Sequence, residues 1–226
     1  MKTQIIQIEI PVIEHELDRM ETYAMSAYIS MKALEASGMW RNPLCNVNNE
    51  GIRSIPRIFY GQVHSYKSTG INTGLTSDPY GNSDDMTWDH ILSPQTGGEF
   101  VMDKSKKYLA GYDIFRRVFE CMCSSIRVYK KQNTALSDLK HTTPTMYKYK
   151  ELNIPLFDKE TRQEVDNIIV PKTFVCDGFW EEYFEWECEM VLNEDSKYGK
   201  PLPDDIKCAQ KKYSIASANL VDFWEN

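Results

Sequence analysis

The sequence predicts an α+β fold in which helices flank a strand-bearing centre. Three observations carry that expectation. Apolar residues recur at three- and four-residue steps over 14–37, 112–123 and 178–192, the signature of helices with one buried face. Short alternating apolar runs lie between them, as half-buried strands require. Dense Gly, Asn, Ser and Asp segments separate the two kinds of pattern.

Taken in order, IIQIEI (residues 5–10) alternates and predicts a strand. A helix is expected from Glu14 to Ser37, with Met20, Tyr23, Ala24, Ala27, Tyr28, Met31 and Leu34 as its core face and Gly38 as its stop. IPRIFYGQVHSY (55–66) predicts another strand. The stretch from Ser68 to Asp85 is so rich in turn formers that a long loop is expected, able to reach into a groove or lie on the surface. MTWDHILS (86–93) predicts a short strand and SPQTGGE (93–99) a turn.

A helix is expected over Tyr112–Cys123, then a strand at SSIRVYK (124–130), then a helical segment opened by Asn133. GFWEEYFEWECEMVL (178–192) predicts a helix with an aromatic stripe and an acidic outer face. A last helix is expected over Ile206–Trp224. Three regions are anticipated: 1–52, a core over 53–157, and an acidic helical region over 158–226.

Composition narrows the class. Hydrophobic residues form 42% of 226 and charged residues 26%, ordinary globular usage that can bury a core without disulfides. No 18-residue apolar run predicts a membrane span, and the N-terminal segment lacks the features of a secretion signal, so a cytoplasmic protein is expected. The six cysteines form no C-x-x-C pair and read as reduced thiols. Net charge is −7, unevenly spread: residues 1–52 carry −3, 53–150 carry +5, and 151–226 carry −9. A basic middle between acidic flanks fits a localised phosphate-binding surface. Arg53, Arg57, Lys67, Arg127, Lys130 and Lys131 are the candidate contacts to nucleic-acid phosphates.

Phosphodiester hydrolysis needs a proton acceptor for water and a cation to stabilise charge on phosphate and leaving oxygen. Histidine suits the first task, and oxygen ligands holding Mg²⁺ suit the second. Asp89 and His90 are adjacent, so on a regular strand they face opposite sides, and a working pair needs a twist or bulge. Asn133, 43 residues after His90, offers a neutral oxygen. Asp138 and His141 are alternatives for a third ligand or solvated helix residues. His64 reads as a phosphate contact or a structural residue, and His15 has no assigned role.

The order Asp89-His90 on a strand, then a second strand, then Asn133 resembles the HNH endonucleases over about residues 53–157. The passage TWDHILSPQTGGEF…IRVYKKQN is similar to free-standing homing-type members carried by bacteriophages. The resemblance implies a ββα-metal core with a helical insertion between its strands. It implies that Asp89 and Asn133 hold one Mg²⁺ (or Mn²⁺), that His90 activates water, and that DNA is the substrate. Two features depart from the family pattern: the long His90–Asn133 interval, and Ser137 where a further His or Asn is expected. The alternative is a non-enzymatic phage structural or host-binding factor that keeps a degenerate nuclease core and engages a protein through the acidic C-terminal helix. A third reading is an RNA-directed nuclease in which Tyr147–Lys150 stacks on bases.

Overall fold

The computed structural model describes residues 5, 7–13, 16–40, 71–139, 143–171, 173 and 175–190. The strand expected at 55–66 and the helix expected over Ile206–Trp224 lie outside the described residues, as do Arg53, Arg57, His64, Lys67 and His141. The architecture is α+β. Seven α-helices and a five-stranded sheet are formed among the described residues. By compactness the chain divides into two units interleaved in sequence. The described parts of one lie within Met1–Asn72, Leu92–Ser125 and Pro171–Val175. Those of the other lie within Thr73–Ile91, Ile126–Val170 and Cys176–Asn226.

The first unit is helical: α1 (Arg19–Ser37), α2 (Pro94–Asp103), α3 (Ser105–Tyr108) and α4 (Tyr112–Cys123). Helix α1 starts five residues later than the apolar pattern implies. Asp18 accepts from the Glu21 backbone N–H at 2.8 Å, while the Glu21 carboxylate accepts from that of Asp18 at 3.2 Å. This reciprocal cap satisfies two end donors and sets the boundary. Gly38 closes the helix in the left-handed region (φ 63°) as expected. Ala24, Ala27, Tyr28, Met31 and Leu34 are buried. Tyr28 meets Tyr112 edge-on at 5.6 Å and Phe115 at 5.4 Å, so α1 and α4 share an aromatic seam. Helix α4 has the bounds read from sequence.

Three expectations about local structure are corrected. The described part of IIQIEI is not a strand: Ile5 and Ile10 are 88% and 52% exposed, with no ladder beside them among the described residues. SPQTGGE is not a turn but opens α2. Pro94 occupies the first turn, where its missing N–H costs nothing, and the helix is buried from Thr96 to Met102. Gly97 lets α2 pack close to Met122: a Cβ there would stand 2.8 Å from Met122 Cγ and Sδ, so the methionine would have to shift. The described part of the Ser68–Asp85 loop, from Ile71, is instead strand β1 (Ile71–Thr76) followed by a pinned segment ending in a 3₁₀ turn at Ser83–Asp85.

The second unit holds β1, β2 (Met86–His90), β3 (Ser124–Tyr129, from Ile126 onward), α5 (Lys130–Asp138), α6 (Lys148–Glu151), β4 (Leu156–Asp158), β5 (Glu164–Val165) and α7 (Phe179–Met190). The strand order is β2-β3-β1-β4-β5. Strand β4 runs antiparallel to both β1 and β5, with Leu75 opposite Asp158 and Leu156 opposite Val165. Ile126 and Val128 point into a core completed by Ile91, Leu136, Tyr149, Ile154 and Leu156. Helices α2, α3 and α4 lie between β2 and β3 in the chain, where the sequence implied the Tyr112–Cys123 helix (α4) alone.

Candidate functional site

The site is built where β2, β3 and α5 meet. Strands β2 and β3 are hydrogen-bonded neighbours, and α5 packs on β2. No loop separates β3 from α5. The Gln132 side chain turns back to accept from the Tyr129 backbone N–H at 2.9 Å, which starts the helix at Lys130. Asn133 therefore does not open the helix; it is the fourth residue of α5 and is half-buried.

The segment leading into β2 is tied to the same junction. Ser77 donates its backbone N–H to the Arg127 carbonyl at 2.8 Å and its hydroxyl to Gln132 at 2.7 Å. Tyr129 donates to Asp78 at 2.5 Å, and Lys130 Nζ donates to the Asp84 carbonyl at 2.6 Å. The Asp78 carboxyl is held below its usual pKa by the Tyr129 hydroxyl first and the Tyr80 N–H second. Residues 77–85 are a braced connection rather than a free arm.

On β2, Met86 and Asp89 are buried while Thr87, Trp88 and His90 are half-buried. Asp89 and His90, adjacent on a continuous strand, differ in burial, as successive residues of a strand do. Asp89 Oδ2 accepts from the Tyr149 hydroxyl at 2.5 Å and lies 2.6 Å from Lys148 Nζ. The ammonium also donates to the His90 carbonyl oxygen and stands 5.1 Å from the centre of the Tyr149 ring. Burial and the negative charge of Asp89 push the Tyr149 phenol well above its ordinary pKa, so it remains a neutral donor. Both ring nitrogens of His90 are shielded from solvent. Burial, and then the Lys148 charge, lower its pKa from 6.5 to about 3. Its imidazole is neutral at physiological pH.

The structure thus brings Asp89 and His90 onto one strand with the Asn133 helix against it. Asp138 does not join them. It is exposed, five residues beyond Asn133 and so on another side of α5. Among the described residues no group of three His, Cys, Asp or Glu side chains is placed to hold a metal. The oxygens that are assembled do fit a cation: one carboxylate and one main-chain carbonyl already share the Lys148 ammonium.

Of the proposed phosphate contacts, Arg127 is half-buried on β3, while Lys130 and Lys131 are exposed in the first turn of α5. Lys148 and Tyr149, read from the sequence only within a base-stacking segment, are instead partners of Asp89, and Tyr149 is fully buried. They are 59 and 60 positions from Asp89, and nothing local in MYKYKEL distinguishes a buried partner from a surface lysine.

The acidic helix α7 also differs from its sequence reading at one position. Glu181, Glu185 and Glu189 are exposed, but Glu187 is buried. It accepts from the Thr145 hydroxyl at 2.5 Å, from the Thr145 backbone N–H at 3.2 Å and from the Tyr183 hydroxyl at 3.4 Å. No described helix is long and apolar enough to cross a membrane. No family model, curated protein or solved structure matches the chain.

Proposed function

We propose that the sheet-bearing unit is a phosphodiester hydrolase centre of the HNH type that acts on DNA. One observation carries this reading. A strand bearing Asp89-His90 is paired to a strand that runs without a loop into a helix, and that helix packs back on the first strand with Asn133 in its opening turns. In this reading Asp89 and Asn133 supply the oxygen donors for Mg²⁺ or Mn²⁺. Such an ion, when bound, neutralises charge developing on the phosphate.

The chain's own residues do the rest. Neutral His90 accepts a proton from water. At a pKa of about 3 it is a weak base, so its ring must regain contact with water to work at neutral pH. Lys130 and Lys131 neutralise backbone phosphates beside the site.

The test is cleavage of supercoiled plasmid by purified protein with Mg²⁺ or Mn²⁺, beside a matched RNA substrate. Nicking that disappears in His90→Ala and Asp89→Ala, with unchanged circular dichroism, supports the reading. Cleavage that survives both substitutions overturns it, and cleavage of RNA alone moves the substrate class.

A second reading is favoured by the engagement of Asp89 with Lys148 and Tyr149. Here the core has lost its metal, the buried pair only holds the sheet to α6, and the chain is a non-enzymatic binding factor. The exposed face of Glu181, Glu185 and Glu189 then meets a basic protein partner. Absence of cleavage together with absence of metal binding selects this reading.

A further inference from the structure

Lys148 occupies the position a metal ligand set would offer to a cation. Its Nζ lies 2.6 Å from the Asp89 carboxylate and donates to the His90 carbonyl as well. Both side chains of the ion pair are only 12% exposed. A surface lysine found near a carboxylate by chance is solvated and mobile, and contributes little. This one is seated among Asp89, the His90 main chain and the Tyr149 ring, on a short helix whose Tyr149 also bonds the same carboxylate oxygen.

Two cations cannot share that oxygen at such distances without strong repulsion. An ammonium on a four-carbon stem can leave by rotation, whereas a buried carboxylate that loses its counter-charge requires another.

We propose that Lys148 is a built-in plug of the Asp89 site, an internal cation that holds the metal-free form closed and that a divalent ion displaces. The inference rests on the hydrolase reading and names how that site is regulated. Metal binding is coupled to withdrawal of Lys148 from Asp89 and from the His90 carbonyl. That withdrawal frees the β2 end carrying His90. The apparent metal affinity is reduced by the small fraction of molecules in which the lysine is already out.

The experiment is titration of the full chain with Mn²⁺, read by electron paramagnetic resonance of free ion and by melting temperature, with no nucleic acid present. Lys148→Met is expected to bind Mn²⁺ at least about tenfold more tightly than wild type. Lys148→Arg, which keeps the charge, is expected to bind no better than wild type. The added affinity is expected to vanish in Lys148→Met combined with Asp89→Asn. Lys148→Gln, which keeps a neutral donor to Asp89, repeats the measurement if the methionine variant does not fold.

Equal Mn²⁺ affinity in wild type and in folded Lys148→Met overturns the plug and leaves the hydrolase reading standing. Absence of Mn²⁺ binding in wild type and in both neutral variants overturns the plug and the metal-dependent reading together.

Discussion

The helical unit and the sheet-bearing unit solve burial differently. The helical unit is held by edge-on and tilted ring contacts: Tyr28 on Tyr112 and Phe115, Phe115 on Phe119 at 6.1 Å, and Phe100 on Tyr108 at 5.0 Å. Its buried thiols fit the same pattern, with burial pushing Cys121 up to about 12 and Cys123 higher still. These are inert packing groups. The sheet-bearing unit has an aromatic cluster of its own on α7, Phe179, Trp180, Tyr183, Phe184 and Trp186. Besides it, this unit holds two buried carboxylates by named partners, Asp89 with Lys148 and Tyr149, and Glu187 with Thr145 and Tyr183. Among the described residues the helical unit buries one acidic residue, Glu99. Truncating a packed ring costs the area and contacts it loses, spread over many neighbours and independent of solution charge. A buried carboxylate depends on one or two partners, and losing one exposes the desolvation cost of the group left behind.

The largest effect expected is in the helical unit. Phe115→Ala removes a fully buried ring from the α1–α4 seam and is expected to cost about 3–5 kcal/mol, measured by urea unfolding. Its cost should not change with salt or divalent metal; a metal-dependent cost would break the comparison.

Next comes Lys148→Met, expected to cost about 3 kcal/mol by leaving Asp89 short of its counter-charge. Adding Asp89→Asn should recover a large part of that loss. A strictly additive double variant would show that the pair is not coupled.

His90 gives a smaller, pH-dependent signature. Its pKa is depressed from 6.5 to about 3, so the unfolded chain takes up a proton that the folded chain refuses. Its contribution is complete above pH 6.5 and is lost as pH falls towards 3. In His90→Phe, stability against pH should be flatter across that window, measured as melting temperature from pH 7 to 4. An unchanged slope would show that the imidazole is not buried in solution.

The smallest effect is at Gly97. In Gly97→Ala the new methyl presses on Met122, a flexible side chain, while helix propensity improves. The net change in urea midpoint is expected to correspond to about 1 kcal/mol or less.

What was legible in the sequence was local. The Tyr112–Cys123 helix, the β2 and β3 strands and the α1 stop follow from periodicity and a C-terminal glycine. INTGLT did not read as a strand because its Gly, Asn and Thr residues are turn formers. Its pairing with β4 outweighs that propensity, and Gly74 adopts φ 76°, where a side chain would be strained. The PQTGG helix was hidden for a related reason: its two glycines weaken an isolated helix, while in the packed one Gly97 permits close approach to Met122. The site was half legible. Asp89, His90 and Asn133 stood out by type and order, but what Asp89 touches is set by how the sheet brings a distant segment back to it.

That return carries a consequence for how the molecule folds. The Tyr149–Asp89 bond closes a loop of 60 positions that contains α2, α3 and α4. Closing such a loop is entropically costly, so the carboxylate stays hydrated until most of the sheet has assembled. Substitutions at Lys148 and Tyr149 should therefore speed unfolding and leave the refolding rate nearly unchanged, a pattern that chevron kinetics would reveal.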